Sequence, residues 1–137
     1  LQLIKQMGGD IIILSAGSEY YIKKILHQHN LNDIPVYSSQ GIYKDRGLHI
    51  TPNVDSDFYS PRYGIDKEKV VQHFKGQYDY IMYAGDSAPD YKASLLADVR
   101  FAKDELIPLY DKAGEKYIPM KSFKDVISYL NDKNWKW

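Results

Sequence analysis

Two short apolar runs constrain the fold of this chain more than any other feature. "DIIILSAG" (10–17) and "YDYIMYAGDS" (78–87) each stop abruptly at small or polar residues. Strands covered on both faces read this way, because neither face meets water and the polar alternation disappears. Helix-like sequence follows each run. After the first, Tyr21, Ile22, Ile25 and Leu26 recur at helical spacing behind Ser18, a residue suited to capping. After the second, Pro89 takes a first-turn position, with Leu95 and Leu96 on the side expected to be buried.

The other segments fit between these. "IPVYSS" (34–39) predicts a third strand, "GIYKDRGLHIT" (41–51) a small hairpin turning at 44–47, and 52–63 a loop. "DKEKVVQHF" (66–74) predicts a helix capped by Asp66, and "DVRFA" (98–102) another short strand. "KDELIPLYDKAG" (103–114) reads as a helix or broken turn, and "KSFKDVISYLND" (121–132) as a final amphipathic helix. Strand and helix alternate, so the expected class is α/β with a mostly parallel sheet. With 137 residues, 44% of them hydrophobic, the chain suits a single domain with a real core. Ligands of such sheets bind beyond the carboxyl ends of the strands, so "SAG" and "GDS" are expected to face one crevice.

Composition removes several functions. Lys plus Arg equals Asp plus Glu at 18 each, and no basic, aromatic-interleaved stripe occurs, so nucleic acid is not an expected partner. Cysteine is absent, which excludes disulfides, thiol catalysis and cysteine-ligated metals and fits a reducing, cytoplasmic location. Runs such as "IIIL" are too short to cross a bilayer, so no membrane partner is expected. The thirteen tyrosines are scattered and read as packing and surface residues.

Four positions carry chemistry. Ser15, Ala16 and Gly17, at a strand end before a helix, can present a hydroxyl and bare N–H groups to an anion; they also make an ordinary strand-to-helix turn. Asp86, at a strand tip, suits Mg²⁺, a hard cation that prefers oxygen ligands, and Asp90 follows four residues later. The competing reading is that Asp86 or Ser87 caps the next helix and Asp90 complements its dipole. Lys67 stands in the first turn of its helix, where the dipole disfavours a cation, so it is either exposed or held against an anion such as phosphate. Lys69 fits the same spacing. Asp55-Ser56-Asp57 lacks an apolar strand and fails the calcium-loop pattern, so it reads as loop. His27, His29, His49 and His73 form no set, and neither a hydrolase elbow nor a Walker A loop is present.

In order, an apolar strand ending at Ser15, the helix-initiating Lys67, a strand ending "GDSAPD" and then "ADVRFAKDEL" closely resemble the haloacid dehalogenase (HAD) superfamily. The resemblance covers essentially residues 3–130. It lies in the branch containing phosphoserine phosphatase and 2-hydroxy-3-keto-5-methylthiopentenyl-1-phosphate phosphatase, for which Ala97, Asp98, Phe101, Ala102 and Leu106 are typical. It implies a HAD-like, Rossmann-like three-layer α/β/α core and Mg²⁺-dependent hydrolysis of a small phosphorylated metabolite. Ser15 Oγ with the N–H groups of Ala16 and Gly17 would hold phosphate, and Lys67 would neutralise it. Asp86 would ligate Mg²⁺, and Asp90 would support the metal or orient Lys67.

One departure is severe. The family's nucleophile is an aspartate on an apolar strand ending D-x-D-x-[TV], and no such strand occurs in these 137 residues. The family places that strand near the N-terminus, ahead of a small cap, and centrally in the sheet between the strands that here carry Ser15 and Asp86. The expectation is that this chain, which starts at Leu1, is the C-terminal portion of a longer phosphatase and inactive alone. A complementary N-terminal segment or a homo-oligomeric partner would then cover the strand edges. The alternative is a non-catalytic, degenerate HAD-like module that binds phosphate ligands or a partner chain. A response-regulator-like phosphoacceptor fits poorly, because the acidic pair it needs after the first strand is missing.

Overall fold

A computed structural model describes residues 1–132, which divide into two compact units. One unit runs from Asp10 to Lys67; the other combines Leu1–Gly9 with the chain from Glu68 onward. A five-residue helix, α1 (Gln2–Gln6), belongs to the second of these.

The first unit opens with β1 (Ile13–Ser18), which leads directly into α2 (Glu19–Gln28). The strand starts three residues later than its apolar run. Ser18 caps α2 as its sequence position suggests, its Oγ accepting the Tyr20 N–H at 3.2 Å. Of the helical apolar set only Leu26 is buried; Tyr21 and Ile25 are exposed. β2 (Val36–Lys44) pairs parallel with β1 and then antiparallel with β3 (Gly47–Thr51). The third strand and the first arm of the hairpin are therefore one continuous strand. Their connection is a two-residue turn, Asp45-Arg46, with φ of 51° and 60°, a left-handed pair that matches the twist of the flanking strands. α3 (Lys67–Lys75) begins where this unit ends.

The second unit is a small α/β/α layer structure. β4 (Met82–Gly85), β5 (Val99–Ala102) and β6 (Ile118–Pro119) form a parallel sheet in that order. A 3₁₀ turn (Ala88–Asp90) and α4 (Tyr91–Ser94) follow β4, α5 (Leu106–Ala113) follows β5, and α6 (Phe123–Asp132) follows β6. Adjacent residues of β5 feed two cores, because successive side chains of a strand point to opposite faces. Phe101 packs with Met120, Val126 and Leu130, joined by Ile4 and Met7. Ala102 packs with Leu106 and Tyr110, joined by Tyr91 and Leu95. The sheet is thus covered on both faces, as the unbroken apolar runs require. The branch signature is largely core: Ala97, Phe101, Ala102 and Leu106 are all buried. Its Asp98 ties the sheet together, accepting the Ile81 N–H at 2.8 Å.

The α/β class and parallel pairing are as expected, with three differences. The strands form two three-stranded sheets, with β1 and β4 each at an edge. The helix expected with Pro89 in its first turn is broken into a 3₁₀ turn and four α-helical residues, so Leu95 and Leu96 lie beyond it. α1 and β6 were not legible, because five and two residues are too few to show a period.

Candidate functional site

In the first unit, the Ser15-Ala16-Gly17 segment leaves the ladder. Leu14 pairs with Tyr37 and Ser18 with Ser39, so three residues of β1 stand against the single Ser38 of β2. A bulge of this kind frees backbone groups at the strand end. Here the Gly17 N–H turns inward and donates to Ser15 Oγ at 3.0 Å. Two of the groups assigned to phosphate therefore satisfy each other, although the Ser15 hydroxyl keeps its own proton to donate. Ala16 and Gly17 are exposed. Across the bulge, Ser38 Oγ is buried without a hydrogen-bond partner.

Lys67 and Lys69, equivalent by spacing, separate by burial: Lys67 is buried and Lys69 exposed. The approach to Lys67 is set three residues earlier. Gly64 has φ of +74°, and a Cβ there would lie 2.1 Å from Ser39 Oγ. Only glycine accepts both that backbone and that contact. The loop preceding α3 is thereby docked on β2, next to the residue that pairs with Ser18.

In the second unit, Asp86 and Asp90 have different jobs. Asp90 is buried, 4% exposed, and both its carboxylate oxygens are engaged. Oδ1 accepts from Tyr83 Oη at 2.7 Å, and Oδ2 accepts from the Asp86 N–H, the Ser87 N–H and Ser87 Oγ, each at 3.2 Å. Asp86 itself is exposed. Its carbonyl accepts the Leu106 N–H at 3.1 Å, and that of Gly85 accepts the Lys103 N–H at 3.1 Å, so the turn after β5 braces the same loop. Asp86 is held by both of its peptide groups while its carboxylate faces outward. The capping and functional readings are thus divided between the two acids: Asp90 reaches back to the residues before the 3₁₀ turn, and Asp86 caps nothing.

Gly85 allows this closeness, since a Cβ there would lie 2.7 Å from Asp90 Cβ and 2.8 Å from its Cγ. Tyr83 lies on β4 and is 7% exposed, and no motif in the sequence marks it. Its phenol is pushed well above the ordinary range, first by burial and then by the Asp90 charge. A tyrosine within an apolar strand must find an acceptor when buried, but nothing in the sequence says that Asp90 is that acceptor.

Among the described residues, no group of three or more His, Asp or Glu side chains could hold a metal. What this unit offers a cation is one exposed carboxylate on a braced backbone. That fits Mg²⁺, which keeps several waters and binds through one or two carboxylates together with substrate oxygens. Asp55 and Asp57 lie exposed in the 52–63 loop, as read from the sequence.

No family model matches the chain. Among curated proteins it is 28% identical over 131 residues to the 2-hydroxy-3-keto-5-methylthiopentenyl-1-phosphate phosphatase of Exiguobacterium sibiricum, covering 95% of this chain and 59% of that protein. It is 26% identical over 130 residues to the phosphatase of the same name from Brevibacillus brevis, covering 92% of this chain and 57% of the relative. It is 22% identical over 140 residues to the bifunctional enzyme MtnB/MtnX of Bacillus licheniformis, covering 98% of this chain and 33% of that protein. The resemblance to this phosphatase branch is borne out over nearly the whole chain, and the chain spans less than two thirds of the length of these relatives.

Proposed function

We propose that the complete protein hydrolyses a phosphomonoester of a small metabolite with the help of Mg²⁺, and that this chain supplies its phosphate- and metal-facing residues. The observation that carries the reading is Asp86: a carboxylate exposed at the carboxyl end of a parallel strand, on a backbone pinned from both sides. Its setting supports it, since the chain resembles curated phosphatases over 95% of its length. Their name describes a phosphorylated keto compound with a methylthio tail, and a substrate of that class is proposed here.

In this reading the Ser15 hydroxyl and the N–H groups of Ala16 and Gly17 bind phosphate oxygens. The Gly17 N–H turns from Ser15 to the ligand, and the Ser15 proton becomes a donor to it. Lys67 contributes positive charge toward the phosphoryl group. Asp86 is the metal ligand, and Asp90 supports it by fixing its backbone. Mg²⁺ bound there would neutralise charge that builds on the phosphoryl oxygens. The attacking aspartate is assigned to none of these residues; it belongs to a strand outside this chain.

The test is phosphate release from p-nitrophenyl phosphate by the complete gene product, with Mg²⁺ and after chelation. Mg²⁺-dependent turnover that disappears in Lys67→Ala and in Asp86→Asn is the expected result. An inactive wild type, or variants as active as wild type, would sink the reading. Phosphate binding without turnover would instead favour a non-catalytic HAD-like module.

A further inference from the structure

Of the bonds that the Asp90 carboxylate accepts from Tyr83, Asp86 and Ser87, one is short and three are long. The short one, 2.7 Å, comes from a neutral phenol to a charged acceptor, a charge-assisted contact of the stronger kind. The others, all to Oδ2, are each 3.2 Å and individually weaker. Two of those three donors are the backbone N–H groups of Asp86 and Ser87. The short bond, to Oδ1, is therefore separate from the two through which Oδ2 acts on the loop backbone.

We propose that Tyr83 is a positioning residue for the Asp86 site, its Oη–H holding Asp90 in the rotamer from which Oδ2 fixes Asp86 and Ser87. Tyr83 is well placed for this. It lies on a paired strand, opposite Arg100 of β5, and its ring is buried, so packing sets where the hydroxyl ends up. Gly85 shares the arrangement, because the absent Cβ is the space that the Asp90 side chain occupies. Two hydrogen bonds thus link a core strand residue to the residue bearing the exposed carboxylate: Tyr83 to Asp90, and the Asp86 N–H to Asp90. The catalytic meaning of this link rests on the proposed phosphatase activity; the positioning itself does not.

Tyr83→Phe removes one hydroxyl and keeps the ring. In the complete protein, amide exchange at Asp86 and Ser87 is expected to quicken by about tenfold or more, while the Phe101 amide keeps its protection. Tyr110→Phe is the control: it removes another buried hydroxyl in the same unit, one that donates to Ser94, and it should leave Asp86 and Ser87 unchanged. On p-nitrophenyl phosphate, Tyr83→Phe is expected to lower kcat by about tenfold to a hundredfold with KM little altered, as misplacement of a reacting-site group does. Unchanged exchange at Asp86 and Ser87, or a loss of protection that extends equally to Phe101, overturns the proposal. A wild type without turnover ends the phosphatase reading alone, because the exchange measurement still decides the role of Tyr83.

Discussion

The Asp90 carboxylate accepts the backbone N–H of Asp86 at 3.2 Å, so one acid of the pair holds the other. Asp90 is buried with both carboxylate oxygens engaged; Asp86 is exposed and held through its backbone. Two aspartates four residues apart in sequence are equivalent on paper and complementary in space.

Substituting the exposed acid should affect chemistry and not folding. Asp86→Asn leaves the bonds to its N–H and carbonyl in place, so the unfolding free energy from urea titration should stay within about 0.5 kcal/mol of wild type. Phosphatase activity of the complete protein should drop by about a hundredfold or more, since a carboxamide is a poor ligand for Mg²⁺.

Substituting the buried acid should do both. Asp90→Ala strands the Tyr83 hydroxyl and the Asp86 and Ser87 N–H groups, which it now satisfies. Leaving buried donors unpaired costs about 1–3 kcal/mol, read as a lowered urea midpoint, and activity should fall with it.

The Asp90 side chain fills the space beside Gly85 that a methyl group would need, with Cβ and Cγ at 2.7 and 2.8 Å from it. Gly85→Ala should therefore cost about 1–3 kcal/mol through overpacking and displace the acid. The loss should appear in the thermal midpoint and in faster amide exchange at Asp86.

Gly64→Ala meets two obstacles, a φ of +74° and Ser39 Oγ at 2.1 Å. Destabilisation should exceed about 1 kcal/mol. A double variant with Ser39→Ala should recover part of it, because only the steric share of the penalty is removed.

The acid limb of stability should contain a contribution from Asp125. Its carboxylate accepts the Ser122 and Lys121 N–H groups at 3.0 and 2.7 Å, and these bonds hold its pKa below the ordinary 3.8. A depressed folded pKa means stability present above pH 3.8 that is lost as pH falls through the lower folded value. Asp125→Asn should flatten the decline of the urea midpoint in that acid range and leave its shape at neutral pH unchanged.

Local rules made the elements legible. Unbroken apolar runs announced β1 and β4, Ser18 announced the start of α2, and the Asp45-Arg46 region announced the hairpin turn. These depend on residues within a few positions of one another, where spacing determines geometry. The same locality explains the limits: a two-residue β6 and a five-residue α1 show no period.

What the sequence determined by itself was the class of the fold, the order of its longer strands and helices, and a short set of chemically able residues: Ser15, Lys67, Asp86 and Asp90. What it left open was which acid is buried and bonded and which lysine is held. Tertiary structure decided those points, because burial and hydrogen bonding depend on partners distant in sequence. Tyr83 reaches Asp90 across seven residues, Leu106 braces Asp86 from the start of another helix, and Gly64 rests on Ser39 from the far side of a long loop. Packing also buried Lys67 and left Lys69 in solvent. A carboxylate with filled hydrogen bonds becomes a brace and one without them stays exposed, a difference made by neighbours that sequence spacing does not reveal.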